Sequence, residues 1–170
     1  IIDLIKNRRT IYPENYTTRV VQKDIIEKLL TCAIWAPTHG KTQPWRFTVF
    51  QDNGRLDLSD QLAEAYKKNY RDADFNELKF NKLKNRPLLS TAIIGVCMKR
   101  DQSNKIPEIE EIEAVACAVQ NLLLAATAYG LGSFWSTPKI LESSHMRNYF
   151  QLEEDDKCLG LIYLGYTKEK

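Results

Sequence analysis

The sequence predicts an α+β sandwich, and three observations carry that assignment. Four short apolar segments, 46–50, 92–98, 131–136 and 158–165, are rich in β-branched and aromatic residues and read as strands. Some six segments with helical apolar spacing separate them. No internal repeat, low-complexity tract or linker interrupts the 170 residues, so 1–170 reads as a single domain long enough to bury a substantial core.

The first helix covers 1–9, with an apolar side and a basic end at Arg8 and Arg9. Segment 11–19 is polar, holds Pro13 and Asn15, and reads as a loop. Apolar spacing from Ile25 to Ile34 marks a second helix that Pro37 stops. Pro44 pushes Gln43 into an extended conformation ahead of the strand 46–50. Asp52, Asn53 and Gly54 are turn residues. Leu58, Leu62, Ala65 and Tyr66 define the helix 56–70, and a charged helix over 76–85 ends before Pro87. Its Lys79, Lys82 and Lys84 suit either a solvated face or attraction of a phosphate-bearing ligand.

The strand 92–98 is continuously apolar and reads as buried. The longest periodic segment, 108–129, places Ile109, Ile112, Ala116, Val119, Leu123 and Ala126 along one side. Its stretch 114–128 is nearly uncharged, which demands burial on more than one face, in the core or against a second subunit. Gly130 stands where a C-terminal cap glycine belongs. After the strand 131–136, Pro138 ends the extension, and Ser143 or Ser144 caps a small helix through Tyr149. The strand 158–165 closes the chain at the centre of the sheet.

Composition narrows the function classes. Hydrophobic residues make up 44% and charged residues 27%, an ordinary globular balance. A net charge of +2 gives no reason to invoke nucleic acid or an anionic membrane. Neither a signal peptide nor an apolar run long enough to cross a bilayer is expected. The chain opens at Ile1 without a methionine, which suggests native residues in front of it. Cys32, Cys97, Cys117 and Cys158 form no Cys-x-x-Cys pair, and with only His39 and His145 beside them a zinc site is not expected. They read as buried reduced thiols, and a reducing, cytoplasmic setting follows as the expectation.

Three motifs carry the chemistry. The stretch 36–45 reads Ala-Pro-Thr-His-Gly-Lys-Thr-Gln-Pro-Trp, a helix-to-strand connection loaded with prolines and hydrogen-bonding side chains. Arg8-Arg9-Thr10 ends the first helix, where basic residues also suit the macrodipole. Gly130-Leu131-Gly132-Ser133-Phe134-Trp135 lies far downstream. Together, in this order, they resemble the Ala-Pro-Ser/Thr…Gln-Pro-Trp, Arg-Arg-Ser/Thr and glycine-rich signatures of the FMN-dependent nitroreductase family, in a compact NAD(P)H nitroreductase branch.

The resemblance implies an α/β/α sandwich around a mixed, mostly antiparallel sheet, assembled as a homodimer with FMN at the subunit interface. It implies that NADH or NADPH reduces the flavin at N5 and that a nitroaromatic, quinone or similar small-molecule acceptor reoxidises it by a ping-pong mechanism. No catalytic side chain is needed, because the cofactor carries the reaction. Arg8, Arg9 and Thr10 are expected at the ribityl phosphate. Gln43 is expected at the polar edge of the flavin, with Trp35 and His39 flanking it, and Trp135, Ser136 and Thr137 at the far edge of the ring. Lys41 stands where many relatives carry Asn, and Pro138 where many carry Gly. Lys168 and Lys170 are candidates for the basic phosphate ligands that relatives supply from a longer tail. Two other functions stay open at this stage. One is a same-fold flavin enzyme of different chemistry, such as oxygen-dependent flavin breakdown or reductive dehalogenation. The other is an FMN-binding protein without turnover.

Overall fold

A computed structural model of the chain describes residues 1–168; Lys170 lies outside the described residues. Four strands form one sheet in the order β1-β2-β4-β3: β1 (Trp45–Phe50), β2 (Ala92–Met98), β3 (Leu131–Ser136) and β4 (Lys157–Tyr166). Every ladder is antiparallel, and the mixed character is confined to one isolated parallel bridge, Thr10 to Ser133. The last strand is central, as its continuous apolar run requires.

Helices cover both faces. On one side α2 (Lys23–Ala33) and α5 (Glu108–Ala128) pack together over Ala92, Ile94, Val96, Met98, Ile162 and Leu164. On the other, α3 (Asn53–Asn69), α4 (Glu77–Leu89) and α6 (Ser144–Tyr149) enclose Ile93, Leu161 and Tyr163. The alternation of these two sets along β2 and β4 is the period-two signature of strands buried on both faces. A short helix, α1 (Ile2–Asn7), buries none of its residues and leaves Ile1, Ile2 and Ile5 exposed. Tyr16 ties the following segment to the sheet by donating its hydroxyl to the carbonyls of Ile11 (2.8 Å) and Tyr163 (3.1 Å).

Several expectations are corrected. Pro87 does not end a helix; α4 runs through it to Leu89. The proline sits in the last turn, where Ser59 Oγ donates to the Lys84 carbonyl at 2.6 Å and Ser90 N–H reaches Arg86. The tertiary bond from Ser59 and the local C-cap bond of Ser90 hold the last turn in place despite the missing N–H. Asp52 to Gly54 is no free turn: Asn53 opens α3, with Asp52 at positive φ before it. Gln43 is not extended but left-handed, at φ 47°. Proline disfavours the right-handed helical region for the residue before it but does not forbid positive φ. Here the Thr38 hydroxyl accepts from the Gln43 N–H and holds the turn.

By length and composition alone, α5 could cross a membrane, contrary to the sequence reading. It is instead a core helix, with Ala114, Val115, Ala118, Val119, Leu122, Leu123 and Ala126 buried. The buried stripe is rotated from the expected one because Glu111, 1% exposed, belongs to it. Glu111 is ion-paired with Arg100 and accepts from the Asp101 N–H at 3.1 Å. Gly130 takes positive φ at 72° after α5, as a C-terminal cap requires. Of the cysteines, only Cys97 is fully buried; Cys158 is half-buried, and Cys32 and Cys117 are exposed.

Candidate functional site

At the β3 edge, residues distant in sequence come together. The segment after α1 runs beside β3: Thr10 bridges Ser133, and Ile11 N–H donates to the Ser133 carbonyl at 3.0 Å. Arg8 and Arg9 therefore lie alongside the strand that delivers Trp135, Ser136 and Thr137. Arg9 is partly committed, since its guanidinium donates to the Lys6 and Arg8 carbonyls and caps α1. Arg8 is half-buried, and its side chain takes no partner among the described residues. Trp135 is anchored by its indole N–H, which donates to the Leu159 carbonyl at 3.0 Å. Its ring packs against the core, so it has a structural duty whatever else it touches.

Beyond Trp135 the chain opens into a cleft of about 340 Å³, lined by Ser136 and Pro138 together with Lys79, Lys82, Arg86 and Lys139. The sequence reading missed Arg86 and left the lysines undecided. Residues 79, 82 and 86 fall on one side of α4 by helical spacing, and that was the legible signal. Lys84 was not part of it. Arg86 is fixed rather than mobile. Its Nε donates to Glu14 at 2.9 Å, and its guanidinium lies 4.9 Å from the Phe134 ring centroid and 5.3 Å from that of Tyr12. Burial works to raise the Glu14 pKa, but a backbone N–H and Arg86 outweigh it and hold the carboxyl below its usual range. Lys82 and Arg86 also face a second depression beside Tyr12 and Phe134, so the cationic lining continues toward the N-terminal segment.

The signature loop is built differently. Gly40, Lys41 and Gln43 all take positive φ, at 60°, 56° and 47°. For the two side-chain-bearing residues that conformation costs about 1–2 kcal/mol each. Hydrogen bonds hold it: Thr38 and Thr42 hydroxyls meet at 3.1 Å, and Arg46 donates to the Gln43 carbonyl at 3.0 Å. His39 is pinned by Glu110 of α5, with Nδ1 2.5 Å from the carboxylate. Trp45 is buried, whereas Trp35 is 81% exposed.

Within one chain, Trp35, His39 and Gln43 do not join the residues at the β3 edge. The loop stands at the same end of the sheet as Ser136 and Thr137 but at the opposite edge, while the parallel Thr10–Ser133 bridge sets Arg8 toward the Leu131 end of β3. Three strand spacings, roughly 14 Å, separate β1 from β3.

This α/β/α sandwich, with a cationic cleft at one sheet edge and a strained loop at the other, defines a nitroreductase-like fold. A model described as the Nitroreductase family matches residues 5–166, and the chain belongs to that family. It is 31% identical over 145 residues to the "Putative NAD(P)H nitroreductase YdjA" of Escherichia coli K12, covering 85% of this chain and 77% of that one. The "Nitroreductase-like Family Protein" of Bacillus cereus superposes with a TM-score of 0.82 at 27% identity, over 99% of this chain and 86% of that one. A "putative nitroreductase in complex with FMN" from Desulfovibrio desulfuricans gives 0.74 at 26% identity, over 99% and 86%.

Proposed function

We propose that the protein is a homodimeric FMN-dependent oxidoreductase of the nitroreductase type. The chemistry supplied by bound FMN is hydride transfer from NADH or NADPH, through its N5, to a nitroaromatic, quinone or similar acceptor in a ping-pong sequence. The donor set of the β3 edge supports this reading. It combines an Arg8 guanidinium that takes no partner among the described residues, the Thr10 hydroxyl, and a cleft whose cations stand beside the apolar Pro138 and Ile140. That is the chemistry a phosphate and a flat, polar-edged ring demand.

The chain's own residues bind and orient. Arg8 and Thr10 hold the phosphate, with Arg9 as a weaker contributor because it caps α1. Ser136 and Thr137 hold the far edge of the ring, and Trp135 keeps their strand in place from the core. Arg86 and Lys82 present positive charge along the cleft. Gln43, Trp35 and His39 reach the ring from the partner chain. The separation of the two groups within one chain is the observation that carries the dimer. The exposed Ile1, Ile2, Ile5 and Trp35 add apolar surface that a second copy would cover. Purified protein saturated with FMN should lose its flavin absorbance when NADPH is added without oxygen and regain it with a quinone. A bound flavin that neither nicotinamide reduces would reassign the chain as a binder.

A further inference from the structure

Cys97 of β2 and Cys158 of β4 are direct register partners, and an irregularity in the ladder makes them so. Val96 pairs with Gly160 and Cys97 with Cys158, which leaves Leu159 as an extra, unpaired residue. The consequence is visible in the packing. Leu161 and Tyr163 face the α3–α4 side, and Ile162 and Leu164 the α2–α5 side. Strict alternation would carry Leu159 to the first side and Cys158 to the second. The structure has the reverse: Leu159 packs on the α2–α5 side and Cys158 on the other. By the alternation of β2, Cys97 faces that same side as Cys158. The bulge therefore turns one thiol over to meet the other, which is the re-aiming that bulges perform.

The bulge is firmly built. Gly160 takes φ 135°, and a Cβ there would lie 2.5 Å from Trp135 Nε1 and 2.7 Å from the Ser136 carbonyl. The Leu159 carbonyl, freed from the ladder, accepts the Trp135 indole N–H. Directly paired residues of antiparallel strands have Cα atoms about 4.5–5.5 Å apart. That lies inside the range of about 4.4–6.8 Å that a disulfide spans. Cys97 is 4% exposed but lines an open cleft with Arg46, Lys99 and Gln151, and Cys158 is half-buried. Both are free thiols.

We propose that Cys97 and Cys158 are a redox-active dithiol that closes to a cross-strand disulfide by exchange with a low-molecular-weight disulfide. Cys158 is the more exposed of the two and is the sulfur that a small disulfide reaches; hydrogen bonding between the pair, which lowers the Cys158 thiol, acts in the same direction. Cys158 Sγ attacks the small disulfide, an S–S bond forms to one half of it, and the other half leaves as thiolate. Cys97 then gives up its proton and attacks Cys158 Sγ, releasing the second half. Two protein thiols are oxidised by two electrons, and one small disulfide is reduced to two thiols.

The test uses the full chain carrying Cys32→Ser and Cys117→Ser, which removes the exposed thiols. The folded protein is incubated with oxidised glutathione, quenched in acid, alkylated and weighed intact and as peptides. The expected result is the loss of two hydrogens, a linked pair of peptides bearing Cys97 and Cys158, and reversal by dithiothreitol. Adding Cys97→Ser should arrest the reaction at a glutathione adduct on Cys158. The proposal is overturned if the folded protein keeps both thiols reduced while urea-unfolded protein oxidises under the same conditions. A stable glutathione adduct on Cys158 with Cys97 present would overturn it equally.

Discussion

The two edges of the sheet carry the two halves of the candidate site and are built in opposite ways. At the β3 edge the backbone is regular, and the functional groups are steadied by their neighbours, with Arg86 wedged between Glu14 and two aromatic rings. At the β1 edge the backbone is strained, with positive φ at Lys41 and Gln43, and Trp35 stands in solvent. Strain of this kind persists only where surrounding contacts enforce it, and it collects at functional sites. On the proposed reading, the strained edge serves the site of a second chain.

The largest expected effect comes from beneath the strained edge. Glu111 is a buried anion paired with Arg100 at the start of α5, one residue from the Glu110 that pins His39. Glu111→Ala leaves the guanidinium and the Asp101 N–H unpaired, and stability should fall by about 3–5 kcal/mol. Urea unfolding of the apo-protein measures this. A loss below about 1 kcal/mol would mean that the start of α5 is not anchored there.

Next come the two arginines of the regular edge. Arg8→Ala should weaken FMN binding by about 1.5–3 kcal/mol, roughly ten- to hundred-fold, with little change in stability. Arg9→Ala removes a helix cap and should cost less than about 1 kcal/mol of stability, with a smaller effect on FMN. Fluorescence titration of apo-protein with FMN separates them. An unchanged affinity for Arg8→Ala would leave that residue with no role in the site.

Gln43→Gly sharpens the contrast in the other direction. Glycine takes positive φ without steric cost, so stability should hold or rise by up to about 1 kcal/mol. FMN affinity should drop because the amide is lost. A fall in both would mean that the Gln43 side chain supports the loop itself.

The smallest effect concerns the Glu14–Arg86 pair, an exposed contact worth about 0.2–1 kcal/mol. The Glu14 carboxyl titrates below its usual range in the folded chain. Its contribution is therefore present above the unfolded carboxylate pKa and is lost as pH falls through the lower folded one. Glu14→Gln should be slightly less stable than the parent at neutral pH and equal to it in strong acid. A stability gap that persists in strong acid would show that packing, not charge, is what Glu14 provides.

Much of the fold was legible because its boundaries are chemical. The strands β2 and β3 have the bounds that their apolar runs and flanking residues predict, and Gly130 caps α5 as its place requires. Pro87 misled because propensity speaks for an isolated helix, while a tertiary bond from Ser59 and the local cap at Ser90 hold the last turn of this one. The face of α5 was misjudged because Glu111 is buried, and nothing in a one-dimensional pattern announces its Arg100 partner. Within the uncharged stretch 114–128, Ala118 is wholly in the core. Motif resemblance supplied Arg8, Gln43 and Trp135, but Arg86 emerged only when α4 was laid beside β3. The bulge at Leu159 was invisible, since apolar residues on both sides hide a change of face.

The central claim is that each site is completed by two chains, and subunit mixing tests it most directly. One partner carries Arg8→Ala with Arg86→Ala, breaking the β3 edge; the other carries His39→Ala with Gln43→Ala, breaking the loop. Each should bind FMN poorly alone. After the two are unfolded together and refolded, mixed dimers contain one site with both halves intact and one with both broken. Tight FMN binding should return in the mixture, and its absence while mixed dimers are present would contradict a shared site.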